Sequence, residues 1–234
     1  MLLTGPAFWT AKSNPLGKYP SQLLLHFDGT NGSTSFPDSS ANAVAMSIAA
    51  GSPSITTAVA HAGFGQCLYA ATTGAVRLYG VLPASSATKW FIDMWVYRTG
   101  TASYAGLAYW GAGNAGILLK ASADGGGYQV WLSRSSVFLT GVTAIPLNTW
   151  THVLVSQDYN GASAYNTQIY INGVLDAQTG YVTNALGVPT GAFEIGRHDN
   201  AGFSGLPADL DEYHIVVGHS ITSNFTPPTS PYTI

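Results

Sequence analysis

A long series of short β-rich runs, separated by clusters of Gly, Asn, Asp and Ser, constrains the fold of this chain most. The runs recur at spacings of about 10–15 residues, and no amphipathic helix longer than two turns lies between them. The predicted strands are 23–27, 67–71, 75–81, 90–98, 105–111, 116–122, 128–133, 136–140, 150–158, 167–173, 192–197 and 208–218. This pattern predicts an all-β sandwich or barrel with one core.

The scarcity of charged residues supports the same conclusion. Charged residues are 8% of the 234-residue chain, against roughly 25% in an ordinary soluble domain. Solvated helix faces are built from Glu, Lys, Arg and Gln, and the only glutamates here are Glu194 and Glu212. Eight basic residues spread along the chain do not form the cationic stripe that neutralises phosphates, which excludes a nucleic-acid partner.

The sequence also predicts no membrane partner and no signal peptide. No stretch reaches the roughly 20 apolar residues of a membrane helix. The N-terminal segment MLLTGPAFWTAK has no basic residue before its apolar part and lacks a convincing cleavage site. Cys67 is the single cysteine, so an intramolecular disulfide is excluded.

Three segments are predicted along the chain. Residues 1–22 are interrupted by prolines and carry Phe8, Trp9 and Tyr19, which are costly to leave in water, so this segment is predicted to be an extended docking arm. Residues 23–218 form the β-domain. Residues 219–234 contain Pro227, Pro228 and Pro231, which do not fit a central strand, so they are predicted to be an extended segment packed on the domain.

Alternation within the longer runs predicts which side chains share a face. In the run 90–98 one face consists of Trp90, Ile92, Met94 and Val96, and the other of Phe91, Asp93, Trp95 and Tyr97, on which Asp93 is the unusual member. In the run 208–218 one predicted face consists of Asp209, Asp211, Tyr213 and Ile215, and the other of Leu210, Glu212, His214 and Val216. The dipeptide Asn172-Gly173 predicts a tight hairpin turn.

Four motifs, read in order, resemble the concanavalin A-like lectin/glucanase superfamily. LLLHFDGTNGSTSFPDSSAN is similar to its first strand and loop, and FGQCLYA with KWFIDMWVYR to its paired core strands. NTWTHVLVSQD with IYINGVLD, and FEIGR with GFSGLPADLDEYHIV, are similar to the later hairpin and the closing strand. The resemblance is to the laminin-G-like (LamG, pentraxin-like) branch over residues 23–218. It implies a jelly-roll β-sandwich of two antiparallel sheets.

The Ala/Gly/Ser/Thr-rich style and the ending NFTPPTSPY resemble LamG-like domains of bacteriophage structural proteins. That resemblance implies a non-catalytic capsid-decoration, head-fibre, tail-fibre or baseplate component, made in the host cytoplasm and located in the virion. The expected partners are other virion proteins, contacted through the arm, and further copies of the chain in a homo-oligomer.

The sequence predicts no catalytic residues. Glucanases of this superfamily carry a strand of the form E-x-D-x-E, whose two carboxylates lie about 5–5.5 Å apart. The nearest string here is Asp209-Leu210-Asp211-Glu212, which has no glutamate at those spacings. The histidines have no metalloprotease spacing, and no nucleophile elbow occurs.

Calcium is the one cofactor that the resemblance suggests, since many LamG-like domains hold it at the rim of the sandwich. Oxygen ligands suit this hard cation, and the candidates are Asp28, Asp38 and Asp211. The alternative interpretation is that Asp28 and Asp38 accept hydrogen bonds from turn amides, and that Asp211 ties the last strand to a loop.

Three loops combine aromatic rings with polar side chains, as sugar-binding sites require. Their candidate residues are Tyr104, Trp110 and Asn114 in the first loop, Tyr159, Asn160 and Tyr165 in the second, and His198, Asp199 and Asn200 in the third. The alternative is that Trp110 and the second-loop tyrosines belong to the core. Two functions therefore remain open: a virion structural protein, or a lectin-like adhesin that binds host-surface carbohydrate.

Overall fold

The computed structural model describes residues 16–70, 76–100, 104–111, 115–121, 128–134, 136–183, 185–197 and 206–233. Among these residues, no helix has the length and apolarity that crossing a membrane requires. The strands of the described ranges are β1 Ser21–Leu25, β2 Ser47–Ala50, β3 Ser54–Thr56, β4 Cys67–Tyr69, β5 Arg77–Leu82, β6 Trp90–Arg98, β7 Tyr104–Trp110, β8 Ala115–Ala121, β9 Tyr128–Arg134, β10 Ser136–Thr140, β11 Trp150–Tyr159, β12 Tyr165–Ile171, β13 Val174–Gln178, β14 Gly191–Ile195 and β15 Ala208–Val217.

The strands form two antiparallel sheets. One has eight strands in the order β13-β12-β11-β6-β15-β4-β3, with β1 paired to β15. The other has seven, in the order β10-β9-β8-β7-β14-β5-β2. The sheets pack face to face around one large apolar cluster. The predicted all-β sandwich of two antiparallel sheets is confirmed.

The core between the sheets follows the alternation of the strands. Trp90, Ile92, Met94 and Val96 of β6 share one face, as the sequence predicts, and the structure buries this face in the main cluster. Trp90 meets Trp110 of the seven-stranded sheet edge to face, with the ring centroids 5.3 Å apart. Burying large apolar side chains is worth about 1.5–3 kcal/mol each, so this layer dominates the stability of the fold.

A second apolar layer covers the outer face of the eight-stranded sheet. The sheet contributes Leu24, Phe91, Leu154, Tyr170 and Val216, and the segments beside it contribute Leu16, Tyr19, Ile221, Phe225 and Tyr232. The ring of Tyr19 lies 5.6 Å from that of Phe91 and 4.7 Å from that of His219. Residues 16–20 and 219–233 are therefore part of the folded domain. Phe8 and Trp9 of the predicted arm lie outside the described residues.

The predicted assignment of side chains to the two faces of the last strand is wrong in its N-terminal half. A β-bulge interrupts the pairing of β15 with β6 between Asp211 and His214, and Glu212 adopts a positive φ of 48°. The extra residue shifts the alternation, so Leu210 faces the main core on the same side as Tyr213. Sequence alternation assumes a regular strand, and it has no signal for this bulge.

The predicted hairpin between β12 and β13 is confirmed. Ile171 pairs with Val174, and Asn172 and Gly173 between them have φ values of 49° and 78°, as a two-residue primed turn requires. The backbone of Phe225 lies against this turn, and its amide donates to the carbonyl of Gly173 at 2.9 Å. The turn therefore also fixes the C-terminal segment.

Candidate functional site

Three tyrosines lie at one end of the eight-stranded sheet, and we call Tyr159, Tyr165 and Tyr181 the tyrosine cluster. Tyr159 ends β11 and pairs with Tyr165, which begins β12. The two rings lie 5.0 Å apart at an angle of 36°. Tyr165 also pairs with Val182, which brings the neighbouring Tyr181 to the same end of the sheet. The hydroxyl of Tyr181 reaches Asp158, whose side chain lies on the opposite face of the sheet from Tyr159 and Tyr165. Tyr181 is 51% exposed.

Asp158 joins the tyrosine cluster to two other segments, through Ser220 and Lys89. Its carboxylate accepts hydrogen bonds from the hydroxyl of Tyr181 at 2.5 Å and from Ser220 Oγ at 2.6 Å, and Lys89 Nζ lies 2.9 Å away. Partial burial would raise the pKa of Asp158, but hydrogen bonds from Ser220, Tyr181 and Lys89 outweigh it and lower the pKa to about 2. The site therefore carries a fixed negative charge beside an ammonium group.

The loop after β11 is held by its own side chains. Asn160 Oδ1 accepts hydrogen bonds from the amides of Ala162 and Ala164 at 2.9 and 3.3 Å, and the hydroxyl of Tyr159 accepts one from the amide of Ser163 at 3.3 Å. Gly161 has a φ of +83°, which suits a residue without a Cβ. These bonds hold the loop beside the tyrosine cluster in one conformation, and the side chain of Asn160 is used within the turn.

Asn166 adds an unused acceptor beside Asp158. The two residues pair across β11 and β12, and Asn166 Nδ2 donates to Gln178 Oε1 at 3.2 Å. Asn166 Oδ1 is buried and has no hydrogen-bond partner among the described residues. A buried acceptor without a donor is rare and calls for an explanation, and a ligand hydroxyl would supply the donor.

The structure places two of the other predicted sugar contacts, Trp110 and Tyr104, away from this site. Trp110 is 1% exposed, and its Nε1 donates to the carbonyl of Gly187 at 3.3 Å, so its ring lies in the core and does not face solvent. Tyr104 lies in β7 of the other sheet. Asn114, His198, Asp199 and Asn200 lie outside the described residues.

The three predicted calcium ligands do not form one donor group. Asp38 accepts hydrogen bonds from the amides of Leu24, Ser40 and Val44 at 2.7–2.9 Å, which matches the turn interpretation. Within the described ranges, no group of three or more His, Cys, Asp or Glu side chains has an arrangement that fits a metal ion. The residues described here therefore do not fit a carboxylate calcium site.

Asp211 and Asp209 are both buried in β15. Burial raises the pKa of Asp211 to about 9 and that of Asp209 to about 7. Asp211 Oδ1 accepts from the amide of Glu212 at 2.9 Å, and Asp209 Oδ1 from that of Ala70 at 3.1 Å. Both carboxyl groups are therefore backbone-bonded parts of β15, away from the exposed surface.

A buried polar group centred on Asp93 fastens the C-terminal segment. His214 Nδ1 lies 3.1 Å from Asp93 Oδ1, His152 Nε2 lies 3.2 Å from Asp93 Oδ2, and the hydroxyl of Tyr232 donates to the same oxygen. Burial raises the pKa of Asp93, but hydrogen bonds from the two histidines outweigh it and leave the pKa below its usual range. The ionised carboxylate is therefore stabilised by three donors.

Ser21, His214 and Asp93 are linked in the same order as the residues of a serine triad, since Ser21 Oγ lies 2.9 Å from His214 Nε2. However, the ring of Tyr232 lies 4.4 Å from that of fully buried His214, and its hydroxyl shares Asp93. The backbone amide of Tyr232 also donates to Glu212 Oε2 at 2.9 Å. These contacts indicate that the group anchors the C-terminal segment.

Sequence reasoning missed a charged group on the outer face of the seven-stranded sheet. In the sequence, Glu194 stands alone among apolar neighbours. In the structure, Arg197 Nη1 lies 2.7 Å from Glu194 Oε1, and Arg77 Nη1 lies 3.5 Å from Glu194 Oε2. Glu194 pairs in register with Tyr79 on one side and Tyr109 on the other. Arg197 is three positions from Glu194 in the sequence, but Arg77 lies beside Glu194 only because β5 pairs with β14.

The comparisons with known proteins identify the family. Residues 70–218, which are more than half of the chain, match Laminin_G_3 of the concanavalin A-like lectin/glucanases superfamily. The chain belongs to the Laminin_G_3 family. A search of curated proteins finds no match. The family match confirms the concanavalin A-like lectin resemblance, while the bacteriophage context stays a prediction.

Solved structures share the fold of this Laminin_G_3 chain at low identity. Domain 4 of AbnA, a GH43 extracellular arabinanase from Geobacillus stearothermophilus, in complex with arabinotriose, is 20% identical, with a TM-score of 0.57 over 87% of this chain and 95% of that one. The binding domain of botulinum neurotoxin DC in complex with SialylT is 11% identical, with a TM-score of 0.58 over 87% of this chain and 49% of that one. This chain thus spans about half the length of the neurotoxin chain.

Proposed function

We propose that this Laminin_G_3 domain binds carbohydrate without transforming it, and that the tyrosine cluster is the binding site. The observation that carries the proposal is an exposed Tyr181 whose hydroxyl is fixed at 2.5 Å by the carboxylate of Asp158. An aromatic ring held in one orientation offers a platform for the apolar face of a pyranose or furanose ring.

The polar groups around the tyrosine cluster suit sugar hydroxyls. Asp158 supplies carboxylate acceptors and Lys89 supplies an ammonium donor that is 41% exposed at its side chain. Asn166 Oδ1 needs a donor, which a ligand hydroxyl provides. Aromatic area combined with a few fixed polar groups is the usual composition of a small-ligand site.

The structural neighbours support the same proposal. The arabinanase domain is in complex with arabinotriose, and the neurotoxin binding domain is in complex with SialylT. Both are carbohydrate-containing complexes of domains with this fold, so the sandwich is compatible with glycan binding on its surface. The lectin-like alternative is therefore better supported than the structural role that the sequence favoured.

The positions of the carboxyl groups support a non-catalytic role. Asp209 and Asp211 are buried and bonded to backbone amides, and Glu194 is held between two arginines. A glycosidase needs two carboxyl groups that flank a scissile bond. We expect no hydrolysis of a polysaccharide panel and no labelling of Ser21 by a fluorophosphonate probe; labelling of Ser21 that also requires His214 would show that a catalytic triad operates.

The binding test combines a glycan array with calorimetry on variants. Tyr181→Ala is expected to weaken binding of the array-positive glycan by about tenfold, which corresponds to about 1.4 kcal/mol. Tyr181→Phe keeps the ring but loses its bond to Asp158, so it is expected to weaken binding by less than Tyr181→Ala. Tyr69→Ala is the matched control, because Tyr69 is 38% exposed on β4. Equal affinity of wild type and Tyr181→Ala would refute the site, and an array without any binding would refute the function.

The role in a phage particle remains a separate hypothesis. Tyr19 packs on Phe91 and His219 of its own domain, so the proposed docking depends on residues 1–15, with Phe8 and Trp9. We expect deletion of residues 1–15 to remove the protein from purified virions while leaving glycan binding intact. Detection of the protein in virions with and without these residues, together with sizing of its oligomer, tests the location, the partners and the arm.

A further inference from the structure

The outer face of the seven-stranded sheet carries a second polar and aromatic group, distinct from the tyrosine cluster. Tyr79 of β5, Glu194 of β14 and Tyr109 of β7 form one row across three neighbouring strands. Side chains in register on one sheet face are close neighbours. The core faces of the same strands carry Leu78 and Phe193, so the row points away from the core.

Two arginines flank Glu194 and leave a positive charge in the row. Arg197 binds Glu194 Oε1 at 2.7 Å and lies over the ring of Tyr109, with its Cζ 4.7 Å from the ring centroid. Arg77 lies farther away, with Nη1 3.5 Å from Glu194 Oε2. Among the residues that the structure describes, one carboxylate between two guanidinium groups leaves one positive charge in excess, in a chain whose formal net charge is −3.

Hydrogen-bonding capacity remains unused in this group. Glu194 is 8% exposed, and its Oε2 has no hydrogen-bond partner among the described residues. Arg77 Nε is also buried without a partner there, while about a third of the Arg77 side chain is exposed. An unused carboxylate oxygen beside an incompletely paired guanidinium indicates that something else completes the group.

We propose that this face binds the carboxylate of an acidic sugar through Arg77. The planar guanidinium matches a carboxylate in a two-point arrangement, and an adjacent hydroxyl of the same sugar donates to Glu194 Oε2. Tyr79, half-buried beside Glu194, supplies ring area for the apolar face of the sugar. Arg197, held on Tyr109, keeps Glu194 in place and does not contact the ligand.

An acidic sugar satisfies the observations better than a neutral one. A neutral sugar supplies the hydroxyl that Glu194 Oε2 lacks, but it leaves the excess positive charge without a counter-ion. A uronic acid and a sialic acid each carry a carboxylate and hydroxyls on one ring. This second site extends the proposed carbohydrate binding to a different surface of the sandwich, so one domain would hold two sugars.

Calorimetry with matched acidic and neutral oligosaccharides tests the second site. Trigalacturonate and its methyl ester probe the uronate source, and 3′-sialyllactose and lactose probe the sialate source. At least one acidic member is expected to bind at least about tenfold more tightly than its neutral partner, with the preference weakening as salt rises. Arg77→Gln should abolish the preference, Arg77→Lys should restore part of it, and Lys120→Gln on the same sheet should leave it unchanged.

The outcomes separate this site from the tyrosine cluster. Equal binding of acidic and neutral sugars, or an acidic preference that survives in folded Arg77→Gln, overturns the second site. Neutral binding that Tyr181→Ala abolishes would then leave the proposed function standing. An acidic preference that depends on Arg77 and persists in Tyr181→Ala would support the second site, and the tyrosine cluster would then stand or fall on its own test with the array-positive glycan. Unchanged melting temperatures of the variants exclude misfolding as the cause.

Discussion

Removal of one hydroxyl group, in Tyr232→Phe, tests the role of the buried Asp93 group. Tyr232 is 4% exposed, and its hydroxyl donates to the fully buried carboxylate of Asp93. Phe keeps the ring that lies 4.4 Å from His214, so the change removes the hydrogen bond with little loss of packing. A hydrogen bond to a charged group contributes about 1.5–3 kcal/mol.

The expected loss can be measured by urea denaturation and by thermal melting. In a domain of about this size, 1 kcal/mol corresponds to about 2–4 °C in melting temperature, so Tyr232→Phe should lower it by about 3–12 °C. Tyr181→Phe is the matched control, because it removes a tyrosine hydroxyl from Asp158 at a 51% exposed position. Exposed substitutions usually change stability by within about 0.5 kcal/mol. Equal losses in the two variants would refute the anchoring role of Asp93.

Two further predictions concern the same segment. Hydrogen bonding to Glu212 raises the pKa of His26, so this pair stabilises the fold fully below about pH 6.5. The contribution is lost as pH rises through the folded-state pKa. The free energy of unfolding should therefore decline less over that pH range in His26→Gln than in the wild type, and an equal decline in denaturation experiments would contradict the role of the pair. Gly173→Ala places a Cβ 2.0 Å from the carbonyl oxygen of Phe225 at a φ of +78°, so it should cost more than about 1 kcal/mol, whereas Gly161→Ala, at +83° with open space around it, should cost less.

Most of the sandwich could be predicted because its strands obey local rules. The inward residues of β6 alternate regularly, and Asn172-Gly173 directly marks the turn between β12 and β13. The strands missed were β2 and β3, which have four and three residues. Short strands of this kind have too few residues for alternation to be recognised.

The outer layer could be predicted only in part, because it depends on contacts between distant segments. The sequence singled out Asp93 as unusual on its face, but its partners His214 and Tyr232 lie 121 and 139 positions away. The prolines indicated an extended C-terminal segment, and the structure shows which side chains hold it. Hydrogen bonds between such distant side chains have no local sequence pattern.

In the candidate binding site, too, neighbours in the sequence could be predicted and contacts from distant segments could not. Tyr159 and Tyr165 were predicted because they flank one loop, while Tyr181 and Lys89 come from other segments and were missed. Trp110 was named from its loop composition, but the edge-to-face packing on Trp90 places it in the core. Aromatic residues in a loop sequence do not reveal which rings face solvent, because that depends on the opposite sheet.

An NMR titration tests the central claim of carbohydrate binding at the tyrosine cluster most directly. Backbone amide signals would be followed while the strongest glycan from the array is added to the full chain. The account predicts the largest shifts at residues 158–166 and at Tyr181, with saturation at the affinity that calorimetry gives. Shifts confined to other surfaces, or a glycan that binds equally well to Tyr181→Ala, would contradict it.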